Sequence, residues 1–382
     1  MSMKVGNTVA LTGELVLPRK KIVDLIAACG SETKYHGGSR GTTVLVQGSM
    51  GYGKTQIVFD LAELFPKHNI VILDSVNMDL GDTQIPAIVY PADGSHPYSI
   101  FAPNEAFGVH LGQPCIILMD EYLKAKRAIK ASLCMVAMER LIASQKLHPD
   151  SIIFAASNRD GEGLGDQLLE HEKQRFLPVR MRNSTKEEVI EHGANKGWHP
   201  SILGFIAEKG DMLFQDFEEV SDYRDNPYIF HPQAVDRAAF FSPRGAEECS
   251  KFVYMHDDGL IDKTTLRVVL AARVNEVTMR TLMTYIEMAG DMPTTDMIKK
   301  DPTGCVVPDN VSAQFMLATN TLAIIERNWV DQWMDYMDRL KEEVQDVFVL
   351  CTIPDTYKKR ELFVNNKKFR KWCHDNNYLF NT

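Results

Sequence analysis

Gly48-Ser49-Met50-Gly51-Tyr52-Gly53-Lys54-Thr55 forms a G-x-x-x-x-G-K-T loop. Glycines at this spacing let successive backbone N–H groups converge on phosphate oxygens, and a helix opening directly after them adds a favourable dipole. Lys54 is placed to reach the β- and γ-phosphates, and the Thr55 hydroxyl to hold Mg²⁺. The loop follows a β-type run, Thr43–Val46, and leads into Ile57, Val58, Leu61 and Leu64, spaced as on one helix face. Strand, glycine loop and helix in that order are the context this chemistry requires.

A second group of candidates supplies what hydrolysis needs beside a bound triphosphate. The apolar run Cys115–Met119 ends in Asp120-Glu121. Asp120 would act on the Mg²⁺ shell, and Glu121 would polarise the attacking water. Another apolar run, Ile152–Ala155, continues into Ala156-Ser157-Asn158, and a strand-terminal Asn next to Asp120 could orient that water and sense the γ-phosphate. The guanine-reading sequence N-K-x-D does not occur, since Asn366-Lys367-Lys368 is followed by Phe369, so the expected nucleotide is ATP and not GTP.

These residues need elements to carry them. Short apolar runs of four or five residues recur at Thr43–Val46, Ile70–Leu73, Ile116–Met119 and Ile152–Ala155, with a weaker fifth at Leu177–Met181. Continuous rather than alternating runs are expected for strands buried on both faces. Between the third and fourth, Leu123–Ile142 carries Ile129, Leu133, Val136, Met138 and Leu141 at helical spacing. Strands alternating with helices predict an α/β domain with a parallel sheet over 41–183, preceded by an N-terminal segment, 1–40.

Beyond Arg182 the texture turns helical. Thr185-Lys186-Glu187-Glu188 is a capping-box pattern, and helices are predicted near 231–240, 243–256 and 262–289. The acidic stretch 208–225 reads as a solvated connection, and the proline-rich 291–310 as a linker. Leu322, Ile325, Trp329, Trp333, Met337 and Leu340 make an amphipathic helical stripe expected to face a core or a contact.

Composition sets limits. The chain has 382 residues, 45% apolar and 24% charged, as in ordinary globular proteins of about two domains. Its apolar runs are too short for a transmembrane helix, and residues 1–17 show no secretory signal, so a cytoplasmic protein without membrane insertion is expected. Seven scattered cysteines without a C-x-x-C pair predict reduced thiols. A net charge of −9 argues against non-specific coating of nucleic acid.

Taken together, the motifs resemble those of AAA+ ATPases, with the closest similarity to the MoxR-type group related to midasin and dynein. The resemblance covers about residues 40–256: Gly48–Thr55 matches Walker A, Ile116–Glu121 Walker B and Asn158 sensor 1. Asn77-Met78-Asp79-Leu80-Gly81-Asp82, ahead of Ile85-Pro86, is similar to the group's loop after the second strand. The stretch from Ser157-Asn158-Arg159-Asp160-Gly161 to Gln174-Arg175-Phe176 is similar to its segment between sensor 1 and the arginine finger.

The resemblance implies a P-loop AAA+ core with strand order 5-1-4-3-2 flanked by helices, a helical lid over 184–290, and a mainly helical C-terminal extension over 291–382. It also implies a homo-oligomeric, usually hexameric ring with ATP between neighbours. Arg175 maps onto the finger that reaches the next subunit's γ-phosphate, although His171-Glu172-Lys173-Gln174 before it departs from the family's more apolar run; Arg180 and Arg182 are the substitutes. Ser242-Pro243-Arg244 matches sensor 2. There Ser242 would cap a helix with Pro243 in its first turn, where the dipole disfavours the cation of Arg244 unless an external anion such as the γ-phosphate meets it.

Three functions stay open at this point. The first, by resemblance, is a Mg²⁺-dependent chaperone-like ATPase maturing a partner complex with a von Willebrand factor A-type protein. The second is a nucleic-acid motor, helicase or loader using the basic C-terminus. In that stretch Lys358, Lys359, Arg360, Lys367, Lys368, Arg370 and Lys371 interleave with Tyr357, Phe363, Phe369 and Trp372, although a solvated face over an aromatic core has the same pattern. The third is an ATP-gated scaffold with little turnover, against which Glu121 and Asn158 argue.

Overall fold

The computed structural model describes residues 15–31, 41–143, 145–159, 168, 172–235, 237, 239–288 and 292–376. Two compact units divide the chain, residues 1–183 and 184–382.

The first unit is built on a six-stranded parallel sheet. Its strands are β1 (Val16–Leu17), β2 (Thr43–Gln47), β3 (Asn69–Asp74), β6 (Cys115–Asp120), β9 (Ile152–Ser157) and β10 (Phe176–Met181), in the spatial order β1-β10-β2-β9-β6-β3. The five expected strands therefore lie in the anticipated order 5-1-4-3-2, with β1 added at the edge beside β10. Helices α1 (Arg19–Cys29), α2 (Gln56–Leu64), α3 (Leu80–Thr83) and α4 (Arg127–Glu139) accompany it, and two antiparallel pairs, β4 (Gln84–Val89) with β5 (Tyr98–Pro103) and β7 (Leu141–Ile142) with β8 (Gln145–Lys146), project as hairpins.

Burial explains the strand sequences. Every residue of β9 is buried, as are Cys115–Met119 of β6 and Thr43–Val46 of β2, because central strands are covered on both faces. β3 departs from that expectation: Val71 and Leu73 are buried, but Ile70 and Ile72 are 42% and 43% exposed. It is an edge strand, and side chains at alternate positions point to opposite faces. The stretch 123–142, read as one helix, starts instead with a 3-10 turn, Tyr122–Lys124, and α4 ends at Arg140 in a left-handed conformation (φ 52°).

The second unit is helical: α5 (Lys186–Lys196), α6 (Pro200–Leu213), α7 (Pro243–Asp257), α8 (Lys263–Val274), α9 (Glu276–Met288), α10 (Thr295–Lys300), α11 (Val311–Ile324), α12 (Val330–Met337), α13 (Glu342–Thr352), α14 (Arg360–Val364) and α15 (Lys367–Asp375). The predicted capping box opens α5, with Thr185 Oγ1 accepting the Glu188 N–H and the Glu188 carboxylate accepting that of Thr185. α11 is buried nearly all round and packs on α5, α6 and α13, which makes it the centre of this unit.

Several local expectations fail, each for a visible reason. The predicted helix 262–289 is broken at Asn275, whose positive φ of 75° ends α8 while its side chain accepts the Thr278 N–H and caps α9. The described residues of 231–240 form turns, with the His231 ring and carbonyl taking the N–H groups of Gln233 and Ala234. The acidic stretch begins inside α6, where Glu208 accepts hydrogen bonds from Tyr285 and Ser312, so it is not simply a solvated connection. The expected linker contains α10, with Ile298 buried. The stripe 322–340 is not one helix, since the chain is extended at Ile325 and Glu326 before α12, yet all six stripe residues are buried.

α6 meets α11 at Gly204, where an added Cβ would lie 2.9 Å from the Met316 Cα. A backbone atom cannot swing away, so Gly204→Ala should cost about 1–3 kcal/mol through overpacking. Chemical denaturation of the variant against the parent chain measures this loss, and an unchanged midpoint would contradict the close approach.

Candidate functional site

The P-loop leaves the carboxyl end of β2 and is pinned there by the Gly48 N–H, which donates to the Ser157 carbonyl of β9 (3.3 Å). Gly51 and Gly53 take positive φ values of 79° and 83°, the conformation that turns consecutive N–H groups toward one point and that side chains with a Cβ resist. Met50 is half-buried, while Ser49 and Tyr52 are buried. Lys54 is buried, and its Nζ donates to the carbonyls of Gly48 (2.8 Å) and Ser49 (3.1 Å) and to Asn158 Oδ1 (2.7 Å). The ammonium thus lies inside the curl of the loop.

Asn158 is 104 residues from Lys54 and meets it because β9 lies beside β2. On the far side of β9, β6 delivers Asp120, whose Oδ2 accepts from the Thr55 hydroxyl (3.2 Å). Three neighbouring strands therefore bring Lys54, Thr55, Asp120 and Asn158 together at their carboxyl ends. Glu121 follows in the left-handed region (φ 51°, ψ 36°), unusual for a residue other than glycine, with its carboxylate 2.9 Å from Lys124 Nζ. Strain of this kind, of order 1–3 kcal/mol, collects at functional sites.

Burial pushes the Asp120 carboxyl above its ordinary range, with the Thr55 hydrogen bond pulling the other way and the Glu121 charge adding to the rise. An acid so shifted is harder to ionise in the fold than in the unfolded chain, so it weakens the fold at neutral pH and ceases to do so in acid. Asp120→Asn, whose amide oxygen can still accept from Thr55, should therefore raise the Tm at pH 7, with the gain vanishing near pH of about 4. Thermal unfolding at the two pH values tests the sign.

The donor set suits a hard dication. A threonine hydroxyl oxygen and a half-buried carboxylate, adjacent to a curl of backbone N–H groups, are oxygen ligands of the kind Mg²⁺ takes with phosphate. These residues fit Mg²⁺ and a polyphosphate.

Arg175 is not among them. It closes the turn before β10, whose first residue, Phe176, pairs with Thr43 at the start of β2. That puts it at the opposite end of the sheet from the loop after Gln47, roughly 16 Å along five residues of strand. Its Nη1 donates to Cys134 Sγ of α4 (3.2 Å). Of the substitutes, Arg180 lies within β10 with its N–H donating to Leu15, and Arg182 Nη1 donates to the Asn183 carbonyl (2.8 Å). Arg244 belongs to the second unit. It is exposed in the first turn of α7 after Pro243, with Ser242 as N-cap accepting the Gly245 N–H, as the sequence suggested for that turn. Of the finger segment, residues 160–171 other than Leu168 lie outside the described residues.

The stretch 77–82 opens a one-turn helix with a capping box between Asp79 and Asp82, and Lys126 pairs with Asp79 (2.7 Å). Sequence reasoning missed a buried cluster behind the site: Tyr122, fully buried, donates to Glu172 Oε1 (3.0 Å) and packs on Phe176 (ring centroids 4.8 Å apart). Only the departure from the apolar run before Arg175 pointed to it. It also missed Arg140, fully buried and donating to the carbonyls of Ser151 (2.5 Å) and Gly30.

In the basic C-terminal stretch the rings form a core beneath a solvated charged face, the second of the two patterns its sequence allowed. Tyr357, Phe363, Phe369 and Trp372 are buried, so these rings are not available to stack on bases. Lys367, Lys368, Arg370 and Lys371 lie outside them on α15. All seven cysteines are free thiols. Among the described residues no helix is long and apolar enough to cross a membrane.

No protein-family model matches the chain, and no curated protein matches it significantly. Among solved structures it is similar to the RuvB Holliday junction branch migration motor of Thermotoga maritima, at 17% identity over 82% of this chain and 86% of that one, with a TM-score of 0.35. A point mutant of Thermotoga maritima RuvB is similar at 16% identity over 77% and 81%, TM-score 0.35. A protein of Cytophaga hutchinsonii is similar at 14% identity over 71% and 90%, TM-score 0.30. Likenesses at this level assign no activity. What the chain itself carries is a parallel α/β sheet with a P-loop, two carboxylates and an asparagine at the carboxyl ends of three adjacent strands.

Proposed function

We propose that this chain is a Mg²⁺-dependent ATPase of the AAA+ type, acting as a ring of identical copies that remodels a partner. The observation that carries the reading is the convergence of Lys54 with Asn158 and of Thr55 with Asp120, beside a strained Glu121. In the proposed reaction the loop N–H groups and Lys54 bind the β- and γ-phosphates, and Thr55 and Asp120 hold the metal. Bound there, Mg²⁺ neutralises phosphate charge. The Glu121 carboxylate orients a water and takes its proton as the water oxygen bonds the γ-phosphorus and ADP leaves. Asn158 fixes that water and the γ-phosphate.

Arg175 lies at the wrong end of the sheet to serve its own loop, which supports its acting on a neighbour's triphosphate. A neighbouring copy would also cover Ile70 and Ile72, which are exposed on edge strand β3. By the sequence resemblance, Arg244 is proposed as the sensor 2 arginine. The finer identity, a MoxR-like chaperone working with a von Willebrand factor A-type protein, rests on the sequence resemblance. Burial of the C-terminal aromatic rings disfavours the nucleic-acid motor, and the Glu121 geometry disfavours a scaffold without turnover.

Steady-state phosphate release tests the reading directly. ATP turnover is expected with Mg²⁺, and removal of the metal with EDTA should abolish it. Absence of turnover in the metal-replete protein, alone and with its host extract, would leave only the scaffold reading.

A further inference from the structure

We infer that Tyr122 is a positioning residue that couples Glu121 to Arg175, so that each copy's hydrolytic site governs the arginine it offers to its neighbour. The inference rests on the proposed action of Arg175 on a neighbouring triphosphate.

Asp120, Glu121 and Tyr122 are consecutive, and the left-handed Glu121 turns the chain so that the Tyr122 side chain enters the core. Its ring lies against Phe176, the residue after Arg175, at 4.8 Å between centroids and 47° between planes. Its hydroxyl lies 3.0 Å from Glu172 Oε1 and 3.4 Å from the Lys130 carbonyl. A phenol has one proton to give, and the carboxylate is the stronger acceptor. Burial, with the Glu172 charge adding to it, pushes the phenol far above its ordinary range, so it remains a neutral donor.

Glu172 is buried, and its carbonyl accepts the N–H groups of Arg175 (2.8 Å) and Phe176 (3.2 Å). The turn that presents Arg175 is therefore closed on the very residue whose carboxylate Tyr122 holds. Arg175 then donates to Cys134, on the helix that begins five residues after Tyr122. Close-packed interiors transmit small displacements because there is no free volume to absorb them. A backbone shift at Glu121 is passed through one fully buried ring to both ends of the arginine turn.

Tyr122→Phe in the full chain separates coupling from packing, since it keeps the ring and removes only the hydroxyl. ATP affinity and KM should stay within about twofold, and kcat should fall about tenfold, as for one hydrogen bond to a charged group. Because the variant's own loop and Glu121 are intact, mixing it with Lys54→Ala, whose arginine is sound, should raise phosphate release per Tyr122→Phe subunit. Mixing it with Arg175→Ala should not. A wild-type kcat in Tyr122→Phe, or a loss of ATP affinity in parallel with kcat, would overturn the coupling. So would failure of the Lys54→Ala rescue while Arg175→Ala with Lys54→Ala gains activity, which leaves the neighbour reading standing. No gain in that last mixture would remove the neighbour reading and the coupling with it.

Discussion

Glu121→Gln should bind ATP as well as the parent chain and release phosphate at least about 10²-fold more slowly, the usual contribution of a positioned general base. The substitution keeps the size of the side chain and leaves the backbone at φ 51° as it is. Its cost to folding is the ion pair with Lys124, which is partly solvated and contributes about 0.2–1 kcal/mol. A loss of turnover with the Tm preserved therefore isolates chemistry. Lys54→Ala is the contrasting case. Its ammonium donates to the Gly48 and Ser49 carbonyls and to Asn158, and removal takes away both the charge for the phosphates and the brace of the loop. Equilibrium binding of a fluorescent ATP analogue should weaken by about 10²-fold, since hydrogen bonds to charged groups are each worth about 1.5–3 kcal/mol. Turnover in Glu121→Gln equal to the parent would move the base elsewhere.

Trp333→Ala should be the most damaging substitution in the helical unit, lowering stability by about 3–5 kcal/mol. Trp333 is fully buried, with its ring 5.9 Å from Tyr336, 5.2 Å from Phe348 and 6.5 Å from Trp329. Phe348 meets Phe363 edge-on, and Phe363 packs at a tilt on Phe369, so one cluster joins α12, α13, α14 and α15. The hole left by an indole cannot be filled by rings already held on their other sides. Trp333→Phe should cost distinctly less. Urea unfolding, followed by circular dichroism, measures both; equal small losses would mean the cluster is not packed as described.

The same cluster shows how far composition alone can be read. The charges and rings between 357 and 372 alternate in sequence in a way that suits either stacking on bases or a solvated amphipathic face. Which atoms are inside depends on α12 and α13, the two preceding helices against which these rings pack. β3 teaches the same lesson in reverse, because an apolar run is identical in a central strand and at an edge. In α11 the polar Gln314, Thr319 and Thr321 are buried, their hydrogen bonds met by the Pro308, Phe315 and Leu317 carbonyls. Such compensation has no signature in residue type.

What the sequence by itself determined is local. The P-loop is eight consecutive residues between a strand and a helix, and the carboxylates follow directly on an apolar strand, so spacing along the chain is also spacing in space. The α5 capping box and the α7 cap were legible for the same reason. Asn158 could be named from its place at a strand end, but its bond to Lys54 exists only because β9 lies between β2 and β6. Tertiary structure alone decided the strained turn at Glu121, the remoteness of Arg175 from its own loop, and the Tyr122–Glu172 tie. These depend on sheet order and on which side chains share a core, properties of contacts between distant segments that no local pattern encodes.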